Sequence, residues 1–344
     1  MNYIQVKKSI EQGKLSPVYF TYGTQAFIME ELNQSILKKL HESQQQEPNN
    51  IAYRLQDTPI EQIIEEAETV SFFGGRKLVI IRDFYAVTSQ KVESRLEHNF
   101  DVLERYMQNP LSETIVVIQA PYEKLDERKK LTKLLKKEAQ IVEANPLDEQ
   151  SLHSWIDEQM KERQVKISTE VKNTLIERIG TNLLMLASEV EKLCLYVGEG
   201  GEIATEHVET LVARTLEQDI FALIDFAITK QTDRALVIYH DLLRQKEEPL
   251  KILALLTRQF RIYYQLKELH QRGYSQKEMA SQLKLHPYVV KLTVQKLHHF
   301  NKGKLYQLIE LAADTDYAIK TGKMEKVFAV ELLILKLGIE QHRD

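Results

Sequence analysis

PVYFTYGTQAF, residues 17–27, is an apolar and aromatic run that breaks at one glycine and leads into a helical pattern. The run is short and does not alternate with polar residues, as expected of a strand buried on both faces. From Thr24 the apolar residues recur at Phe27, Ile28, Leu32, Ile36, Leu37 and Leu40, the spacing of one helix face. A strand, a glycine turn and a helix in this order is where a nucleotide-binding fold carries its phosphate loop. Such a loop needs several glycines so that backbone N–H groups approach phosphate, then a lysine and a Ser or Thr. Gly23-Thr24-Gln25-Ala26-Phe27 has one glycine and no lysine. The Gly-Lys pairs at Gly13-Lys14, Gly303-Lys304 and Gly322-Lys323 follow no buried strand and precede no Ser or Thr.

Outward from this turn, strand and helix patterns alternate. Strands are expected at residues 51–55, 77–82 (KLVIIR), 113–119 (ETIVVIQ) and 140–143. Thr58-Pro59-Ile60-Glu61 predicts a capping box with proline in the first turn. The helix it opens should bury Ile60, Ile63, Ile64, Ala67 and Val70 and end at Gly74-Gly75. A long helix is expected over residues 89–107 and a basic one over 126–137. Near-continuous apolar strands separated by helices indicate a parallel sheet with both faces covered. After Asn145-Pro146 the strand signal stops and helical stripes run to the end of the chain. The expected division is an α/β domain over 1–143, a small helical domain over 144–213 and a larger helical domain over 214–344.

Composition excludes several functions. The 344 residues are 43% hydrophobic and 28% charged, ordinary for a globular protein. One cysteine, Cys194, allows neither an internal disulfide nor a zinc site of thiolates. The polar opening MNYIQVKKSIEQGK carries no apolar signal core, and no apolar run reaches the ~18 residues of a membrane span, so a cytoplasmic protein is expected. Net charge is −4, yet residues 244–304 hold 13 Lys and Arg against 4 Glu and no Asp, a local +9. Such asymmetry fits either a surface facing a polyanion or a set of solvated helix faces.

Catalytic chemistry is also missing. Asp83 follows Arg82 at the end of KLVIIR, and the fourth strand ends Gln119-Ala120-Pro121, so the acids that would hold magnesium are absent. Cys194 lies on an apolar helical stripe. His298 and His299 are adjacent on a helix and diverge by about 100°. The most unusual surface candidate is Phe72-Phe73, read either as an exposed aromatic anchor or as two rings packed under the sheet.

Several segments in order resemble the delta subunits of bacterial DNA polymerase III clamp loaders. They are VYFTYGTQAFIMEE (18–31), TVSFFGGRKLVIIRD (69–83), YEKLDERKKLTKLLKK (122–137), SEVEKLCLYVG (188–198), EEPLKILALLTRQFR (247–261), QLKLHPYVVK (282–291) and DTDYAIKTGKMEKVFAVELLILKL (314–337). The resemblance implies an AAA+-like five-stranded parallel sheet domain without a phosphate loop, a helical lid and a C-terminal helical collar. It also implies a replication accessory subunit without a catalytic site, metal or cofactor of its own, working within a DNA-directed DNA polymerase (a nucleotidyltransferase) holoenzyme at the nucleoid.

The implied partners are the beta sliding clamp, ATP-binding gamma/tau-type and delta-prime-type sister subunits, and primed DNA reached through the complex; no membrane is implied. The family's clamp-binding element maps onto Ser71, Phe72, Phe73 and Gly74. Phe-Phe stands where the family usually has Leu-Phe, which implies a reshaped fit to the clamp pocket. Tyr317 and Lys320 map onto a helix that either meets DNA or packs within the collar. Lys129, Lys130, Lys133, Lys136 and Lys137 read as a solvated face.

Two other functions compete. Residues 275–300 resemble a helix-turn-helix, with Ala280 and Leu283 inward, a turn at His286-Pro287, then Val290 and Val294. That reading makes the chain a DNA-binding regulator, although the second helix has no Arg to read guanine. The other is an ATPase with a degenerate site.

Overall fold

The computed structural model describes residues 3–44, 47–70, 74–92 and 96–339, which fall into two compact units, 1–146 and 147–344. The first contains α1 (Tyr3–Glu11), β1 (Val18–Tyr22), α2 (Ala26–Gln44), β2 (Asn49–Arg54), α3 (Ile60–Glu68), β3 (Lys77–Arg82), α4 (Phe100–Gln108), β4 (Thr114–Ala120), α5 (Lys130–Glu138) and β5 (Gln140–Glu143). The five strands pair in parallel in the order β2-β3-β4-β1-β5. The central strands are the continuous apolar runs: every residue of β4, and every residue of β3 but Arg82, is buried. Val18 lies opposite Val116 and Leu78 opposite Ile115, so apolar side chains stack across the sheet on both faces.

Four local features correct or go beyond the sequence expectations. The polar N-terminal stretch forms α1, which buries Tyr3, Ile4, Val6 and Ile10 along one side. Thr58 makes no capping box; the N–H of Ile60 donates instead to Nδ1 of His98 at 3.2 Å, and Glu61 Oε1 accepts the N–H of Asn99 at 2.9 Å. That contact explains the third feature. The helix expected from residue 89 begins only at Phe100, because residues 96–99 run as non-helical chain that closes the N-terminus of α3, and the side chain of Asn99 then caps α4. Lastly, α3 ends at Glu68, not at Gly74-Gly75, and Val70 is 61% exposed rather than buried.

The second unit is helical. It contains α6 (Glu149–Glu162), β6 (Lys166–Ile167), α7 (Thr169–Ile179), α8 (Leu183–Val197), β7 (Glu202–Ile203), α9 (Thr205–Leu211), α10 (Leu216–Ile228), α11 (Thr232–Arg244), α12 (Pro249–Gln271), α13 (Gln276–Leu283), α14 (Pro287–Lys296), α15 (Lys302–Lys320) and α16 (Lys326–Ile339). The sequence gives no warning of β6 and β7, a two-residue parallel pair that ties the ends of the α6–α7 and α8–α9 connections together. Trp155 of α6 is fully buried. The α10–α16 group is built on α12, whose Ile252, Leu253, Leu256, Phe260, Tyr263 and Leu266 are buried against α10, α14, α15 and α16. Pro249 opens that helix at a position where no intrahelical N–H is needed.

Candidate functional site

In parallel sheets, ligands bind beyond the carboxyl ends of the strands. Here that edge is closed by the chain itself. The N–H of Gly23 donates to Ala120 O at 3.1 Å, that of Gln25 to Ala144 O at 2.8 Å, and that of Ala144 to Tyr22 O at 2.7 Å. Gly23 adopts φ +139° directly against the Ala144 carbonyl. Two amides that a phosphate loop would aim at its ligand are thus already bonded. At the end of β3, Asp83 accepts from Arg54 Nε at 2.8 Å. At the end of β4, the buried Gln119 donates to Asn33 Oδ1 at 3.2 Å. Among the described residues no group of three or more His, Cys, Asp or Glu side chains is placed to hold a metal ion.

The next site lies between α3 and β3. Ser71, Phe72 and Phe73 lie outside the described residues, but both flanks are defined. On one side α3 packs Ile60, Ile63, Ile64 and Ala67 into the sheet core, and Thr69 closes it by donating its N–H to Glu65 O at 3.0 Å. On the other, Gly74 and Gly75 take φ +74° and +82°, the left-handed region that favours glycine, and Gly74 faces open space. Between them stands Lys77, a residue the sequence reading passed over. Its side chain is 3% exposed, its Nζ pairs with Glu66 Oε1 at 2.9 Å and it also donates to the Glu66 carbonyl. The first residue of β3 therefore holds the last turn of α3. The signal in the sequence is a lysine directly before the apolar run Leu78–Ile81.

Two profiles of one family match most of the chain: "DNA polymerase III, delta subunit" over residues 19–145 and "DNA polymerase III delta subunit, C-terminal domain" over 217–337. A Bacillus subtilis protein named DNA polymerase III subunit delta is 40% identical over 332 residues, 96% of each chain. The chain belongs to the DNA polymerase III delta-subunit family. A solved Bacillus subtilis DNA clamp loader delta protein superposes on this delta-subunit chain with a TM-score of 0.80 and 39% identity, covering 98% of this chain and 99% of that one. A probable DNA polymerase III subunit delta of Aquifex aeolicus is 25% identical over 207 residues, 59% of each chain. The AAA+-like α/β unit followed by helices is the fold of this family.

The remaining candidates in the delta-subunit chain separate clearly. Tyr317 on α15 is 59% exposed, with Lys323 Nζ 5.0 Å from its ring centroid, and Lys320 pairs with Asp316 at 2.8 Å. Both therefore face outward from α15 instead of packing between helices of this chain. Four of the five basic-helix lysines have partners: Lys129 donates to Ala86 O and Thr88 O, Lys130 pairs with Glu104, Lys136 with Glu127 and Lys137 with Glu138.

The helix-turn-helix candidate does form, as α13 and α14 around a left-handed Lys284. The start of α14 is occupied, however. Lys291 pairs with Glu149, and Tyr288 is 7% exposed beside Glu149 and Glu177. A recognition helix would have to offer those turns to a DNA groove. Cys194 is a core residue whose thiol is pushed up by burial, which makes it a poor nucleophile. Among the described residues no helix is long and apolar enough to cross a membrane.

Proposed function

We propose that this delta-subunit chain is the non-hydrolysing arm of a clamp loader: it binds the beta sliding clamp through Ser71, Phe72, Phe73 and Gly74 and favours the open clamp for loading onto primed DNA. The observation that carries the reading is the combination of family membership along the whole chain with a strand edge whose Gly23 and Gln25 amides are bonded to Ala120 and Ala144. The fold is retained while the geometry for cradling phosphate is closed. The work left is mechanical. A ligand shifts an opening equilibrium only through its greater affinity for the open form. The 71–74 segment leaves a held helix end and enters β3 through two glycines, a suitable place for bulky anchors.

ATP is then bound by gamma/tau-type sister subunits, with a delta-prime-type subunit completing the ring. Residues 214–344 act as the collar that joins them and 144–213 as the lid. Tyr317 and Lys320 are the DNA-contact candidates. Lys320 is held only by an exposed pair with Asp316, worth roughly 0–1 kcal/mol, and would exchange it for a phosphate.

The test is a clamp pull-down with Phe72→Ala/Phe73→Ala, with folding checked by circular dichroism. A folded double variant is expected to lose the clamp, and one that binds like wild type would end the assignment. Saturable magnesium-dependent ATP hydrolysis by the purified chain, surviving contaminant controls, would overturn the non-hydrolysing role.

A further inference from the structure

The α6–α9 and α10–α16 groups are joined where the chain passes from α9 to α10, and a second time, far away in sequence, by α14. At the first joint the N–H of Thr215 donates to Arg178 O of α7 at 3.0 Å. At the second, α14 is rooted in the α10–α16 group. Val290 is fully buried in that group's core, Lys296 pairs with Asp225 of α10, and the Leu297 carbonyl accepts from Lys267 Nζ of α12 at 3.0 Å. The other end of α14 reaches the α6–α9 group. Lys291 Nζ donates to Glu149 Oε2 in the first turn of α6, across 142 residues of sequence. Tyr288 lies one turn earlier on the same face of α14 and is buried. Burial, then the charges of Glu177 on α7 and Glu149 on α6, push its phenol up to about 12. His286, the N-cap of α14, accepts the Tyr288 N–H on Nδ1 at 3.2 Å, and its ring also bonds the backbone of Leu147, which leads into α6. That target is itself fixed: Leu147 is buried, and Asp148 caps α6 by accepting the Ser151 N–H at 2.8 Å.

Two bodies joined at one short segment turn about it, and a second joint at a distance removes that freedom. Such motion is the ordinary expectation for groups that meet over a small, polar surface. A helix of ten residues spans about 15 Å and is stiff over that length, so α14 carries a fixed direction from one group to the other. Its outer joint is of mixed strength. Tyr288 and Leu147 are buried, but the side chains of Lys291 and Glu149 keep 42% and 35% of their surface exposed. That ion pair is solvated, screened by salt and weak on its own. One buried ring, one histidine bond and one solvated ion pair hold a position without making it permanent.

We infer that α14 is a releasable brace. Rooted on α10 and α12 and docked on α6 and α7, it holds the α6–α9 and α10–α16 groups as one body. Its release lets the α6–α9 group turn about residues 212–215. The inference concerns the helical unit alone and stands independently of clamp binding.

Pulsed electron-spin distance measurement on the full chain tests the inference. Spin labels are placed at Glu191→Cys on α8 and Arg244→Cys at the end of α11, both exposed positions, and the buried Cys194 is left in place. One narrow distance population is expected in this labelled parent, and a broad one overturns the brace before any further variant is made. Lys291→Glu, checked for folding by circular dichroism, sets a third carboxylate beside Glu149 and Glu177. It is expected to broaden the distribution, and a width equal to the parent's overturns the inference. Glu149→Lys/Lys291→Glu restores the pair with its charges exchanged and is expected to return the narrow population. A double variant that stays broad would place the effect inside α14 and would equally sink the brace.

Discussion

A Cβ added to Gly23 would lie 2.2 Å from the carbonyl oxygen of Ala144, 121 residues further along the chain. The neighbour is backbone, fixed by its own bonds to Tyr22 and Gln25, so it has no rotamer through which to yield. Gly23→Ala is expected to cost about 3 kcal/mol or more, combining the clash with a φ of +139°. Gly74→Ala is the control: its φ is +74° but nothing lies within 4 Å of the new methyl. Only the left-handed penalty of about 1–2 kcal/mol then applies. Urea denaturation of the two variants checks the difference, and equal losses would refute the close approach.

Lys77 gives a second prediction, which separates position from contact. Lys77→Met removes the bonds to Glu66 and releases the last turn of α3 while leaving Phe72 and Phe73 in place. A stability loss of about 1–3 kcal/mol is expected from a buried charged donor withdrawn from its partners. If the 71–74 segment binds the clamp as proposed, the folded variant binds it more weakly than wild type, and Phe72→Ala in the Lys77→Met background costs less than it does alone. Strictly additive effects on clamp affinity would show that Lys77 has no positioning role.

What could be read in the sequence follows from how local each signal is. β1, β3 and β4 announce themselves because a strand buried on both faces is mostly apolar, with polar residues such as Lys77 and Gln119 confined to the strand ends. The helices from α6 onward carry their stripes and several of their caps, such as Ser168 and Pro249, within a few residues. The onset of α4 could not be read, since it depends on His98 reaching Ile60, 38 residues away. The exposure of Val70 depends likewise on where Lys77 and Thr69 close α3. At the strand edge the missing lysine was legible, whereas the bonding of Gly23 and Gln25 by Ala120 and Ala144 was not, because those carbonyls come from elsewhere in the chain.

His98 predicts a pH dependence. Its Nδ1 accepts the Ile60 N–H at 3.2 Å and its Nε2 lies 2.6 Å from the Tyr85 hydroxyl, so the cap needs a neutral ring. Burial lowers its pKa below the ordinary value of 6.5, against an opposing pull from Glu61. The unfolded chain therefore takes up the proton first as pH falls. The contribution of this cap is full above the unfolded pKa and is lost as pH drops through the folded one. Amide exchange in the first turn of α3, corrected for intrinsic rate, should accelerate below pH 6.5 in wild type. His98→Asn is expected to flatten that dependence, and an unchanged pH profile in the variant would rule out His98 as its source.

Arg178 decides how firmly the proposed lid and collar are joined. Its Nε donates to Val212 O at 2.7 Å and its Nη2 to Glu209 O at 3.1 Å, while its own carbonyl accepts the N–H of Thr215 at 3.0 Å. The residues it holds are those leading from α9 into α10, and Thr215 in turn caps α10 by accepting from the N–H of Gln218. Burial, and then the charge of Arg214, push the guanidinium below its ordinary range, yet at any accessible pH it stays protonated and acts as a fixed fork. Arg178→Ala leaves two carbonyls without partners, a loss of about 1–3 kcal/mol. Arg178→Lys is expected to restore this bonding only in part, because a flexible ammonium does not match the fixed geometry of a planar fork. The discriminating measurement is hydrogen exchange at Thr215 and Gln218. Both amides should lose protection in Arg178→Ala, with Arg178→Lys in between, while amides in the α12 core keep theirs. Protection at Thr215 that survives Arg178→Ala would mean that the joint is held by the apolar packing of Val212, and that the guanidinium is incidental to it.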